Sequence, residues 1–401
     1  MNALCWYKSG TNEALRHKDK VMKQNIGSTT LHRFSIRSVW SSSALILLIA
    51  PLLLLVTCAN THAYEVAIPT QTDWLECGPI FSAGAEGEWD TYLWGGFAAT
   101  VVKKDGLFYL YYQGANGYDD DEGTVTYRAI GVATSADGVN FTKYAGNPVL
   151  TWFPNDHLEE GAVSAGAFLQ PDGEIALYYG ANNWIGGSLV NANGRLATSP
   201  NGFHFTDQGV ILDHDDSAIW GSGDELFPII GFQDNGRYVT YYIPNGVLQR
   251  GKLGAAWGDQ PDQLINSAAA QAGLSPISVW GPGSVAKVGN NTYALFLNNV
   301  YASSGPTIDV RTTTSNNPAS LSAPVQSYQF DNVWEAIVYL DEDTDTWFMY
   351  YRSADHDHYG VKVAAVAGKP VRCPASEELF LPLLLQSPPP GQNKTCNLYR
   401  E

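Results

Sequence analysis

An aromatic apolar run recurs five times along the chain, at 108–112 (FYLYY), 175–179 (IALYY), 238–242 (YVTYY), 293–297 (YALFL) and 347–351 (WFMYY). Each run follows a turn signal: Lys104-Asp105-Gly106, Pro171-Asp172-Gly173, Asp234-Asn235-Gly236, Gly289-Asn290-Asn291 or Asp341-Glu342-Asp343. Asp-Gly and Asn-Gly between apolar runs predict hairpins, because both dipeptides accept the left-handed backbone of a tight turn. A second motif trails the aromatic strand. Residues 131–142 (GVATSADGVNFT) match 195–206 (RLATSPNGFHFT) at an offset of 64, with weaker copies beginning at Gly251, Ile308 and Tyr359. Each unit therefore reads strand, hairpin, aromatic strand, loop, strand, turn, outer strand. A four-strand unit repeated at this spacing is one blade of a propeller, in which radial repetition protects the sheet edges. The predicted fold is all-β: a five-bladed β-propeller of four-stranded antiparallel blades around a central axis, spanning residues 64–370. A β-sandwich is the competing architecture, but it does not generate a repeated four-strand unit. The one helical candidate, around 268–272, reads as a short loop helix.

The segments flanking the repeats have a different character. Residues 44–59 (ALILLIAPLLLLVTCA) carry no charge and fall short of the ~20 residues that a spanning helix needs. Seven basic residues precede them and Thr61-His62-Ala63 follows. This order of basic flank, apolar run and small residue predicts a signal peptide within a leader of residues 1–63. An uncleaved anchor through 44–59 is the alternative, and would be the chain's membrane contact. Residues 371–401, with Pro388-Pro389-Pro390, read as an irregular tail. The leader takes seven of the 23 basic residues and two of the 40 acids, which leaves a net charge of −22. Such a surface repels polyanions, so nucleic acid, heparin-like and sulfated polymers are poor candidate ligands and a neutral one fits better, while a surface charged for solubility explains the number equally well. Export permits disulfides. Cys77 stands before the first repeat and Cys373 after the last, so a closed ring would allow them to pair, with Cys373–Cys396 as the rival. Asn140, Asn290 and Asn393 head glycosylation sequons.

The repeat, and above all residues 130–150 (IGVATSADGVNFTKYAGNPVL), is similar to the blade strands of five-bladed glycoside hydrolases. These comprise the family 43 arabinanases and xylosidases, the invertase-like family 32 and the mannoside-processing family 130. The resemblance covers most of residues 76–367. It implies a divergent glycosidase whose carboxylates come from the first strands of successive blades and face one another in a central funnel. Hydrolysis needs one protonated carboxyl for the leaving oxygen and one ionised carboxylate for water or the anomeric carbon.

On this resemblance Asp90, in Glu88-Trp89-Asp90, is expected as general base or nucleophile; the competing reading is a loop aspartate capping a turn. Glu225, before the first strand of the third unit, matches the general-acid position of family 43, with adjacent Asp224 as the fallback. Glu160 of the second unit stands near Ser164, where that family carries an aspartate that tunes the acid, and is expected to serve instead. Ala98 stands where the family 43 base belongs, so typical family 43 activity is not expected. Glu335, in Trp334-Glu335-Ala336, is expected as a substrate contact or as a relic of the repeat. Trp94, Trp152, Trp184, Trp220 and Trp280 are expected to stack on sugar faces, against a competing role in packing between blades. His356 is expected beside an axial structural calcium ion, against a surface-loop reading; no other cofactor is implied. A non-catalytic carbohydrate-binding propeller is the alternative function. A sialidase is disfavoured by the net charge and by an Asp-box one residue short at Ser135-Ala136-Asp137-Gly138.

Overall fold

The structure is a computed structural model that describes residues 65–93, 99–116, 128–151, 160–185, 188–213, 226–244, 251–266, 274, 277–300, 302–354, 358–365 and 373. The leader and the helical candidate at 268–272 lie outside them. Nearly all regular structure is β. It begins with β1 (Leu75–Ser82) and the short β2 (Tyr92–Leu93). The first repeat holds β3 (Ala99–Lys104), β4 (Leu107–Ala115), β5 (Arg128–Ser135) and β6 (Thr142–Lys143). The second holds β7 (Glu160–Leu169), β8 (Ile175–Ile185), β9 (Ser188–Ser199) and β10 (Thr206–Leu212). Strands β11 (Leu226–Asp234), β12 (Arg237–Pro244), β13 (Gly254–Gly258) and β14 (Ile265–Asn266) form the third unit. The fourth is β15 (Gly283–Lys287), β16 (Tyr293–Asn299), β17 (Thr307–Thr313) and β18 (Gln326–Tyr328). The last contains β19 (Val333–Asp341), β20 (Thr346–Ser353) and β21 (His358–Ala365).

Neighbours within each unit pair antiparallel in chain order. The first two units share one sheet through a single parallel bridge between Arg128 and Gly161. The last unit has three strands of its own. Its fourth is β1, which pairs with β21 from Leu75 opposite Val363 to Ser82 opposite His358. Cys77 on β1 is disulfide-bonded to Cys373, with Cα atoms 5.4 Å apart, so the two ends of the repeat region are joined twice.

Five apolar clusters occupy the faces between units. Tyr111 packs with Tyr179 between the first and second, Tyr178 with Tyr242 between the second and third, and Ile243 with Leu297 between the third and fourth. Phe296 meets Trp347 between the fourth and fifth. The fifth cluster unites Phe348 and Tyr350 with Phe108 and Tyr112 of the first unit. The first strands of all five units line one narrow cavity of about 30 Å³, to which they contribute Thr100, Ala167, Gly231, Ser284 and Val338. Backbone crowds there: a Cβ on Gly166 would lie 2.2 Å from the Gly231 nitrogen.

The aromatic pair has a division of labour. The first hydroxyl donates to a carbonyl in the next unit: Tyr111 to Gly202, Tyr178 to Pro261, Tyr241 to Pro318, and Tyr350 onward to Gly138 of the first. The second reaches an acceptor in its own sheet. The fourth unit has Phe296 and Leu297 at these places, so it lacks both bonds.

Candidate functional site

Strand alternation puts the starts of β3, β7, β11, β15 and β19 at one end of the central cavity. The opposite end carries tight hairpins such as that of Asp105 and Asn235, both at φ 51°. Glu160 is the first residue of β7, and Glu225 immediately precedes β11. Glu160 therefore belongs to the end where the first strands begin. Glu225, Asp224, Trp94, Trp152, Trp220 and His356 lie outside the described residues, as do the side chains of Glu160 and Trp184.

Glu335 is a described carboxyl near that end. It is the third residue of β19, beside a bulge between Val333 and Glu335, and its register partner on β20 is Arg352. Glu335 is 3% exposed and Arg352 8%. The guanidinium Nη2 stands 3.4 Å from Glu335 Oε2, yet neither carboxyl oxygen has a hydrogen-bond partner, and Arg352 Nε has none either. The contact is thus an ion pair without a hydrogen bond. Burial pushes the Glu335 carboxyl up to about 7, against the opposing pull of Arg352. Arg352 Nη1 donates to the Leu93 carbonyl at 3.2 Å, which ties the last unit to the chain leading into β3. The strand under Glu335 is braced by Asn298: its Nδ2 donates to the Ala336 and Pro282 carbonyls, and its Oδ1 accepts from the Ala336 amide at 2.9 Å.

Arg352, Asn298 and Gln113 all follow an aromatic pair, or its equivalent, directly in sequence. All three are buried. Sequence reasoning passed over them because the strand was read as an apolar run. A polar residue at that place is the signal that would have found them.

Asp90 is held elsewhere. Its Oδ2 accepts from Tyr112 Oη at 3.0 Å and pairs with Lys143 Nζ at 2.7 Å, and the residue is 3% exposed. The arrangement recurs. Tyr179 bonds Asp207, which pairs with Arg195; Tyr351 bonds Glu76, which pairs with Lys362; and Tyr242 bonds the Asn266 amide oxygen. Asp90 plays the acceptor's part in the first unit, from the turn before β2 rather than from a fourth strand. Asp90 makes no hydrogen bond with Glu335. Trp280 is half-buried, with its indole against Gly251, where a Cβ would fall 2.2 Å from Nε1; that contact is one of packing.

Among the described residues no three His, Cys, Asp or Glu side chains gather as a metal site. Thr100 and Ser284 in the central cavity accept from the Ala167 and Val338 amides, and the cavity wall contains no carboxylate. That set does not fit calcium, which takes six to eight oxygen ligands; the calcium expectation remains attached to His356.

No protein-family model matches the chain, and no curated protein does. Solved structures do. One is described as showing that the family 130 mannoside phosphorylases contain glycoside hydrolases that target β-1,2 mannosidic linkages in Candida mannan. It is 15% identical with a TM-score of 0.52, over 78% of this chain and 99% of that one. A second, described as a glycoside hydrolase, is 12% identical with a TM-score of 0.54, over 77% of this chain and 96% of that one. The chain has the fold of these enzymes, and the family likeness read from the repeat holds at the level of fold.

Proposed function

We propose that the five units are the blades of a closed propeller and that the protein is an exported glycoside hydrolase. Its substrate is a neutral oligo- or polysaccharide, bound where the first strands begin. The closure is supported by the cluster between last and first units and by the cavity common to all five first strands. Export is supported by the Cys77–Cys373 disulfide, with residues 1–63 as the leader. The observation that carries the catalytic reading is Glu335, a buried carboxyl raised to about 7 near the start of the last unit's first strand, in a fold shared with glycoside hydrolases. Glu160 and Glu225, the carboxylates expected from the second and third units, are the companion carboxylates. Acid–base cleavage of a glycoside needs one carboxyl of each kind, neutral and ionised. The test is a panel of aryl glycosides and neutral oligosaccharides, with the first product followed by NMR. Hydrolysis of at least one member is expected; binding without turnover would overturn the enzyme.

That outcome would establish the second reading, a non-catalytic carbohydrate-binding propeller. One observation favours it: Asp90, the carboxylate expected as base, is already engaged by Lys143 and Tyr112.

A further inference from the structure

The resemblance would assign proton donation to Glu225, but the geometry points to another residue. We infer that Glu335 is the proton donor to the leaving glycosidic oxygen and that Arg352 is its positioning residue. The inference rests on the hydrolase reading and deepens it.

A proton donor must be neutral when it acts, held in one place, and not already spent on the protein. Glu335 meets all three conditions. It is enclosed, and both of its oxygens lack hydrogen-bond partners, which is costly for a buried polar group unless a ligand uses it. Its strand is fixed by the two bonds between Asn298 and Ala336, and Asn298 is itself tied to the Pro282 carbonyl, the rigid support that a reacting group requires. Next to it Gly281 has φ +136°, and a Cβ there would meet Asn298 Cβ at 2.9 Å; a side chain at 281 would disturb the residue that braces the Glu335 strand. The charged and titratable groups that face it are Arg352 on β20 and Tyr359 on β21. Arg352 opposes the effect of burial, and so keeps the acid in a range where it can both hold and release a proton. Through Leu93 the same guanidinium fixes the chain that leads to β3.

In the reaction the bond between the anomeric carbon and the glycosidic oxygen breaks, and its electron pair goes to that oxygen. The oxygen takes the Glu335 proton and leaves as a hydroxyl. Water adds to the anomeric carbon and gives its proton to a second carboxylate, Glu160 or Glu225. A proton is thus returned for the one donated.

The test compares a phenyl glycoside with the dinitrophenyl glycoside of the same sugar, whose leaving group needs no proton. Glu335→Gln is expected to lose ~10²–10⁴-fold in kcat on the phenyl substrate, under about 10-fold on the dinitrophenyl one, with KM little changed. The alkaline limb of its pH profile should disappear. An equal loss on both substrates overturns the inference and leaves the hydrolase standing, whereas a wild type inactive on every glycoside overturns both. The wild type alone provides a check that needs no variant to fold. Its alkaline limb should be marked on the phenyl substrate and weak on the dinitrophenyl one; equal limbs overturn the inference. Arg352→Met removes the cation that opposes burial and should move the limb to higher pH. A limb that stays in place overturns the role of Arg352.

Discussion

Replacing Glu335 by Gln should remove a pH dependence from the protein's stability. In the folded chain this carboxyl is raised to about 7 from an ordinary 4.5, because burial outweighs the attraction of Arg352. Below pH 4.5 the group is protonated in both folded and unfolded chains and contributes nothing to the pH dependence. Between 4.5 and 7 the unfolded chain releases the proton while the folded chain keeps it, so stability falls as pH rises. Above 7 both states are ionised and the loss levels off. At 1.36 kcal/mol for each pH unit of separation, the full loss is about 3 kcal/mol. Urea denaturation of wild type and Glu335→Gln at pH 4.5 and pH 8 isolates this contribution. Any change of packing around the glutamine is common to both pH values and cancels in the difference between them, as do all other titrating groups. The wild type should lose about 3 kcal/mol more than the variant between the two conditions. A difference below about 1 kcal/mol would show that Glu335 is hydrated or hydrogen-bonded, and the reasoning from its burial would be wrong.

Four further outcomes are expected. Asp90→Asn should cost about 3 kcal/mol by leaving Lys143 unpaired, and its effect on hydrolysis should not depend on the leaving group; a leaving-group dependence would return Asp90 to the catalytic set. Lys103→Met should cost about 3–5 kcal/mol in chemical denaturation, because the Asp341 carboxylate, 3% exposed, would lose the lysine 2.7 Å away that links the first unit to the last. Reducing the Cys77–Cys373 bond, which spans 296 residues, should lower stability by about 6 kcal/mol on the chain-entropy account; urea melts with and without reductant measure this. Gly166→Ala should cost at least about 3 kcal/mol, read as a fall in Tm, since the new Cβ meets backbone atoms of both Ile230 and Gly231.

The repeat was legible because its aromatics have a physical task. Tyr111, Tyr178, Tyr241 and Tyr350 bridge successive units through their hydroxyls, so the pattern could not drift without losing a buried bond. The fourth copy reads faintly for the converse reason, since Phe296 and Leu297 carry no hydroxyl. The Cys77–Cys373 pairing was one of two alternatives, and the structure decides between them. The role of β1 was not legible: residues 75–82 (LECGPIFS) lack the aromatic signature, and their partner strand begins at His358. The environment of Asp90 was also hidden, because its cation lies 53 residues away on β6. The sequence marks Glu335 as a substrate contact or a relic of the repeat, not as an acid. Its character comes from enclosure by Arg352 and the surrounding strands, which no local sequence window encodes.

The proposed cleavage of a neutral glycoside by Glu335 and a second carboxylate can be followed by ¹H NMR of the wild-type protein with neutral oligosaccharides. The expected result is a time-dependent anomeric signal from a newly freed reducing end, lost or severely slowed in Glu335→Gln. Shifted sugar resonances with no new anomeric signal in any sample would contradict it, and would leave a propeller that binds carbohydrate without cutting it.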